Sequence, residues 1–322
     1  MAPVISIYTT IYNNADIVEK SLSSVIKLLP DFDEKFELVV VDNYSTDGTY
    51  EKLLKLQKKH QNIKIIQQKC SRGKGRAIAF SNTSGKYVLS IDCDTIYLEP
   101  FKNIVYSYPK MKDMEMYPCF FTKRKTMEFI GNFRDLNYAE DVELTTRSIA
   151  KGVKVYSVPC KLSNNQINEN REKRYSHGLK YLFRKYRNHA DGIAGAGENL
   201  FDFLERYKVR GRKETLIPYY FALRLRHPRL FRYFDTSNLG SLFERQVITN
   251  PAYFKINKKY YFFTMMLYGQ KPEDIASFIQ DMLKIGFNIL EVLKGKKGKY
   301  LFLYNDKASR KLIAYQRRMF RV

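Results

Sequence analysis

The protein has 322 residues and a formal net charge of +23 at pH 7. Its 44% hydrophobic and 15% aromatic content is that of a globular protein and excludes an intrinsically disordered or collagen-like chain. The length predicts about two domains. The four cysteines form no CxxC pair, which disfavours a disulfide framework and favours a reducing compartment.

The positive charge is concentrated in the second half of the chain. Residues 1–150 contain 21 basic and 19 acidic side chains, whereas residues 151–322 contain 35 and 14. A basic surface of this kind attracts nucleic acid, anionic lipid or a phosphorylated substrate, and the charge count does not choose among them. With no signal peptide and no apolar run of about 18–20 residues, we expect a cytoplasmic protein that contacts the cytoplasmic membrane face peripherally.

Strand and helix patterns alternate along the first part of the sequence. Short apolar runs predict strands, and amphipathic segments between them predict helices. The predicted strands are 4–8, 37–41, 63–66 and 87–91, and the predicted helices are 16–29, 49–60 and 75–83. This alternation implies a mostly parallel sheet with helices on both faces.

The remaining elements follow a less regular order. We predict a helix at 101–108, a strand at 114–121, a helix at 140–151, a strand at 153–158 and a polar loop at 163–170. After the loop the chain reads as basic and mainly helical, with amphipathic helices at 173–187 and 275–293. The predicted domains are residues 1–160 and residues 161–322.

Polar residues follow each of the first four predicted strands. The four segments are Thr9–Asn14, Asp42–Gly48, Arg72–Arg76 and Asp92–Asp94. Ligands of parallel α/β sheets bind beyond the carboxyl ends of the strands. A single polar loop there is ordinary, but four loops that bring carboxylates, an aromatic ring and a basic glycine-rich turn favour a binding site.

Asp92 and Asp94 are the sharpest signal. In an extended chain, residues i and i+2 project to the same side about 6.5–7 Å apart. Two such carboxylates can reach one hydrated divalent cation, and Mg²⁺ binds through one or two carboxylates plus substrate phosphate oxygens.

The turn Arg72-Gly-Lys-Gly-Arg76 places three cations around two glycines. Glycines let a backbone approach a phosphate, and the cations neutralise it. The turn has neither the Walker A spacing nor the G-x-G-x-x-G of dinucleotide folds, so a P-loop NTPase or a dehydrogenase is disfavoured.

In order, five motifs resemble those of family 2 glycosyltransferases with the GT-A fold. They are TTIYNN (9–14), VVVDNYSTDGT (39–49), RGKGRAIAFSNTSGKY (72–87), SIDCDT (90–95) and NYAEDVELTTRSIAKG (137–152). The resemblance covers roughly residues 3–160. It implies a Rossmann-like, mostly parallel sheet flanked by helices, a nucleotide-sugar donor such as a UDP- or GDP-sugar, and transfer of its sugar to an acceptor.

The resemblance also implies roles for individual residues. Thr10 and Tyr12 would line the base pocket, with the Tyr12 ring stacked on the base. Asp42 and Asn43 would lie beside the base, and Asn43 stands where many members have a second aspartate that reads it. Two basic residues of the glycine-rich turn would contact the diphosphate, namely Arg72 and Lys74.

The same resemblance implies a metal and a general base. Asp94 would hold Mn²⁺ or Mg²⁺, Asp92 would assist the metal or hold the ribose, and His177 would complete the coordination. Asp141 matches the acidic residue that acts as the base in inverting members. The sequence has no QxxRW-like motif and no tryptophan, which favours transfer of a single sugar over processive synthesis.

Two other functions stay open at this point. The basic half suggests a nucleic-acid-binding protein, although no reader motif is present. A sugar nucleotidyltransferase would also use a basic glycine-rich loop and acids. The acceptor is not readable from the sequence; a lipid-linked or glycan acceptor, an anionic membrane surface and a homo-oligomer are all compatible with the basic half.

Overall fold

The computed structural model describes residues 3–165, 184, 187–188, 191, 246–261, 266–268, 272–285, 289–295 and 299–304. The first elements in chain order are β1 (Ile5–Ile11), α1 (Val18–Leu28), α2 (Phe32–Lys35), β2 (Phe36–Asp42), α3 (Thr49–Lys59), β3 (Ile63–Gln67), α4 (Arg72–Ser81), β4 (Tyr87–Ser90) and β5 (Thr95–Tyr97). Next come α5 (Glu99–Val105), β6 (Glu115–Tyr117), β7 (Phe121–Lys123), α6 (Arg124–Ile130), α7 (Glu140–Ala150), β8 (Lys154–Ser157) and β9 (Ser163–Asn165). The last are β10 (Val247–Ile248), β11 (Met266–Tyr268), α8 (Pro272–Ile285), β12 (Ile289–Gly295) and β13 (Lys299–Tyr304).

The main sheet has eight strands in the order β10-β8-β6-β7-β4-β1-β2-β3. β1 pairs in parallel with β2 and β4, β2 with β3, and β6 with β8, whereas β7 is antiparallel to β4 and β6. β1, β2 and β4 are apolar runs buried along most of their length, as strands covered on both faces must be. The predicted mostly parallel sheet flanked by helices is confirmed.

The strand register brings the polar loops to one edge. Ile5 of β1 pairs with both Phe36 and Tyr87, and Ile11 pairs with Asp42. β1 and β2 therefore start and end together, β3 ends opposite Asp42, and β4 starts opposite Ile5 and ends opposite Tyr8. Because these strands are parallel, the segments that follow them emerge at the same edge of the sheet. This register, which the sequence pattern does not specify, is what assembles the candidate site.

Two predictions for the segments at 114–121 and 163–170 need correction. The apolar run 114–121 forms two short antiparallel strands, β6 and β7, because the chain turns at Cys119 and Phe120, both of which have positive φ. The polar segment predicted as a loop at 163–170 begins with a strand, since the backbone of Ser163–Asn165 pairs antiparallel with β5. Backbone pairing needs no apolar side chain, so residue type did not reveal it.

The end of the chain combines a helix with strands. β11, β13 and β12 form a separate antiparallel sheet. The helix predicted at 275–293 is α8, but it ends at Ile285, and the β-branched and aliphatic run that follows forms β12. Most of the helix predicted at 173–187 lies outside the described residues.

The chain separates into two compact units. The first includes residues 1–157, and the second includes residues 158–161 and 248–322. Within the described ranges, no helix combines the length and apolar character needed to cross a bilayer.

Candidate active site

The loops after β1 and β2 are tied together by hydrogen bonds. The backbone N–H of Asn43 donates to the carbonyl oxygen of Ile11 at 2.9 Å, and that of Asn13 donates to Oγ of Ser45 at 2.9 Å. Tyr12 and Tyr44 extend from these loops with exposed rings. Tyr44 has a φ of +52°, a left-handed conformation that is unusual for a bulky residue. The exposed ring of Tyr12 fits the stacking role predicted for it.

The other residues predicted around the base are engaged with protein groups. The Asp42 carboxylate is fully buried, and it accepts from the backbone N–H of Ser45 at 3.1 Å and from Nε2 of Gln67 at 3.1 Å. Oδ1 of Asn43 accepts from the N–H of Cys70 at 2.9 Å, and Oγ1 of Thr10 donates to the Val41 carbonyl at 3.0 Å. These contacts hold the loop in shape.

The glycine-rich segment is the first turn of α4 and not a loop. Ser71 caps the helix, its Oγ accepting from the N–H of Lys74 at 3.1 Å. Gly73 and Gly75 are buried, and a Cβ on either would overlap the Arg134 carbonyl oxygen or the Thr10 hydroxyl, respectively. These glycines therefore allow the helix to pack closely, and the approach of a phosphate to their backbone stays a prediction.

Arg72 and Lys74 project from this helix start into solvent. The Arg72 side chain is 58% exposed, and Lys74 is exposed as well. Cations beside a helix N-terminus provide charge that favours anions. The two residues predicted to contact a diphosphate are thus accessible to one.

Asp92 and Asp94 follow β4. The side chain of Asp92 is 60% exposed, and its Oδ1 accepts from Nη2 of Arg76 at 2.6 Å; Asp94 is half-buried. Carboxylate oxygens are the ligands that Mg²⁺ and Mn²⁺ prefer. In the described part of the chain, however, no three His, Cys, Asp or Glu side chains are grouped closely enough to hold a metal by themselves. His177, the predicted third ligand, lies outside the described residues.

Arg76 connects the end of β4 to α7. Its side chain is only 8% exposed; its guanidinium lies 5.2 Å from the centre of the Phe133 ring, and Nη1 lies 3.4 Å from Oε1 of Glu140. The Glu140 side chain is 2% exposed. Burial raises the pKa of Glu140, and the nearby Arg76 and Arg72 oppose that rise.

Asp141 is exposed, in contrast to Glu140 before it. The two adjacent acids open α7, where Ala139 precedes the helix with a φ of +58°. The successive positions of a helix point about 100° apart, so one acid turns inward while the other faces solvent. The ion pair between Glu140 and Arg76 connects the turn that contains Asp141 to the end of β4.

Arg76 and Glu140 were not predicted as site residues. Both lie inside motifs identified in the sequence, Arg76 at the end of RGKGR and Glu140 directly before Asp141. A charged side chain on the buried face of a helix indicates a buried ion pair, and this signal could have marked Arg76 and Glu140. The sequence does not show that the two residues pair with each other, because the tertiary fold determines that contact.

Residues 6–108 match the family model described as Glycosyl transferase family 2. The chain is 31% identical over 94 residues to a poly(ribitol-phosphate) beta-glucosyltransferase of Bacillus spizizenii, covering 28% of this chain and 14% of that protein. It is 28% identical over 147 residues to a poly-beta-1,6-N-acetyl-D-glucosamine synthase of Staphylococcus aureus, covering 42% and 33%. The chain thus spans a third or less of these relatives.

Two solved structures align with this chain at low sequence identity. The S. aureus TarS 1–349 structure in complex with UDP-GlcNAc aligns with 95% of this chain and 98% of its own, at a TM-score of 0.44 and 16% identity. The mannosyltransferase PcManGT from Pyrobaculum calidifontis, in complex with GDP-Man and Mn²⁺, aligns with 88% and 81%, at 0.47 and 15%. The predicted resemblance to family 2 glycosyltransferases is confirmed over residues 6–108, which match the family model.

Proposed function

We propose that the protein is a glycosyltransferase that transfers a single sugar from a nucleoside-diphosphate donor to an acceptor hydroxyl or phosphate. The observation that carries this proposal is the convergence of the two acidic motifs: Arg76 bridges Asp92 at 2.6 Å and Glu140 at 3.4 Å. A donor diphosphate held beside Asp92 then lies near Asp141, the next residue after Glu140.

Different exposed groups at this edge would contact different parts of the donor. The Tyr12 ring offers a flat apolar face for stacking the base. Arg72 and Lys74 supply charge for the diphosphate. The TarS structure holds UDP-GlcNAc and the PcManGT structure holds GDP-Man, and we propose a UDP- or GDP-sugar here.

Asp92 and Asp94 would hold a divalent cation, Mn²⁺ or Mg²⁺, with diphosphate oxygens as further ligands. Two carboxylates at one strand end fit this ion, and the small number of protein ligands is what a substrate-bridging Mg²⁺ uses. The ion would neutralise charge on the departing diphosphate. His177 is proposed as an additional ligand.

Asp141 is proposed as the general base of an inverting transfer. Its exposed carboxylate accepts the proton of the acceptor hydroxyl as that oxygen forms a bond to the anomeric carbon. The bond from this carbon to the diphosphate oxygen breaks on the opposite side, and the nucleoside diphosphate leaves. Inversion of the anomeric centre follows from the single displacement.

The test compares wild type with Asp141→Asn and Asp94→Ala. Thermal-shift titrations with UDP- and GDP-sugars, with and without Mn²⁺, report donor binding, since a ligand that binds the folded state raises its melting temperature. Asp141→Asn should bind donor as wild type does and lose transfer by about 10²–10⁴-fold. Asp94→Ala should lose the Mn²⁺-dependent part of binding.

Asp113→Asn is the matched control, since Asp113 is exposed and pairs with Lys123 on the surface. Equal transfer rates in Asp141→Asn and wild type would remove the base assignment. A sugar nucleotidyltransferase would instead release pyrophosphate from a nucleoside triphosphate, and a nucleic-acid-binding protein would bind DNA or RNA with a steep salt dependence. Peripheral membrane contact and oligomerisation through the basic half stay predictions, as does a cytoplasmic location.

A further inference from the structure

The contacts of Arg76 are unequal on its two sides. Nη2 lies 2.6 Å from Asp92, whereas Nη1 lies 3.4 Å from Glu140, longer than a well-formed charge-assisted hydrogen bond. Nε of Arg76 and Oε2 of Glu140 are buried without a hydrogen-bond partner among the described residues. The guanidinium therefore retains unused donors beside a carboxylate with an unused acceptor.

Arg76 and Glu140 could form a tighter ion pair than the single contact observed. Arg and Glu pair best through two parallel hydrogen bonds, and unsatisfied buried polar atoms carry a penalty that such a pair removes. The bond to Asp92 holds Arg76 away from that geometry. Asp92 is itself the mostly exposed member of the three, so a bound molecule can reach its carboxylate.

We propose that Arg76 and Glu140 are positioning residues that transmit donor binding at Asp92 to the first turn of α7, and so to Asp141. The inference rests on the proposed function and deepens it. A donor whose ribose hydroxyls donate to Asp92 competes with Arg76 for this carboxylate, and Arg76 then closes onto Glu140. Because Glu140 and Asp141 are adjacent in the same turn, tightening the pair sets the orientation of Asp141.

Hydrogen exchange measured by mass spectrometry tests this without relying on transfer. The full chain is incubated with saturating UDP and Mn²⁺, or GDP and Mn²⁺, and exchange is followed in peptides that cover residues 137–147. In wild type, nucleotide should slow exchange in this segment by about fivefold, the lower range of ordinary coupling between two sites. Glu140→Gln should bind the nucleotide with an affinity lowered by no more than about fivefold, the reciprocal of this coupling, and lose the response.

Glu143→Gln is the matched control, since Glu143 lies in the same helix and pairs with Arg147 instead. Glu143→Gln should still show slower exchange with nucleotide than without it, even if the variant is less stable than wild type. Arg76→Lys retains the charge but lacks the planar guanidinium that places donors toward Asp92 and Glu140 at once, and it should lose the response as Glu140→Gln does. If Glu140→Gln fails to fold, Arg76→Lys decides by the same criterion.

The outcomes separate this inference from the proposed function. Nucleotide binding with unchanged exchange in wild type, or a response that persists in the folded Glu140→Gln or Arg76→Lys variant, would overturn the coupling alone. If wild type binds neither UDP nor GDP, the proposed function is overturned, and the coupling with it.

Discussion

Helix α7 contains two buried glutamates one turn apart, and each lies beside two arginines. Glu140 contacts Arg76 and, at 3.8 Å, Arg72, whereas Glu143 contacts Arg147 and, at 3.3 Å, Arg134. Glu143 and Arg147 form a closed pair: Nε and Nη2 of the arginine lie 2.7 Å from the two carboxylate oxygens. Nη1 and Nη2 also donate to the carbonyl oxygens of Ile130 and Asn132 at 2.6 Å. This pair has the satisfied geometry that a structural ion pair requires.

The pair of Glu140 with Arg76 is open by comparison. It is made by a single longer contact, it has buried polar atoms without partners, and its arginine is shared with the exposed Asp92. One pair fixes α7 against its neighbours, and the other connects α7 to the edge where ligands bind. Charge and burial alone do not distinguish them; the number of satisfied hydrogen bonds does.

Breaking the closed pair should have the largest effect on stability. Glu143→Ala leaves the Arg147 guanidinium buried without its carboxylate, and we expect a loss of about 3–5 kcal/mol in the free energy of unfolding. Urea denaturation followed by circular dichroism measures it. Asp141→Asn, an exposed change in the same helix, should stay within about 1 kcal/mol. A loss below about 1 kcal/mol for Glu143→Ala would contradict the closed-pair assignment.

The open pair can be disturbed without changing any of its charges. Gly75→Ala adds a Cβ that overlaps the Thr10 hydroxyl and lies 3.0 Å from Sγ of Cys70, so α4 must shift away from β1 and carry Arg76 with it. Overpacking of this kind lowers stability by about 1–3 kcal/mol. Urea denaturation should show that loss, with Lys74→Ala as the exposed neighbour control. Equal urea midpoints for Gly75→Ala and Lys74→Ala would mean that the space beside Gly75 accommodates a methyl group.

The same contrast explains what the sequence could predict. β1–β4 were predicted because apolar runs between polar segments determine buried strands. α4 was predicted to begin at 75 and begins at Arg72, because residues 72–76 were interpreted as a phosphate-binding turn, whereas Gly73 and Gly75 serve close packing of the helix. Their role depends on Arg134 and Thr10, which the sequence does not place beside them.

The site divides in a similar way. Asp92, Asp94 and Asp141 could be selected from motif order, and all three belong to segments at or near one edge of the sheet. Whether they hold a metal or remove a proton stays a prediction. The connection through Arg76 and Glu140 could not be predicted, because it depends on a distance between residues far apart in the sequence. His177 lies outside the described residues.

The smallest change in stability is expected from Glu140→Gln, about 1 kcal/mol or less near neutral pH, because Arg76 keeps Asp92 as a partner. Its pH dependence is informative. Burial raises the pKa of Glu140 in the folded protein, so the stability this residue contributes is present below the usual glutamate pKa of 4.5 and is lost as pH rises through the folded value. Glutamine cannot ionise, so Glu140→Gln should gain stability relative to wild type between about pH 4 and pH 7.

Urea midpoints measured across this range test the sign, and Arg72→Ala should steepen the wild-type trend, since Arg72 opposes the pKa rise. Parallel curves for wild type and Glu140→Gln would contradict the raised pKa of Glu140.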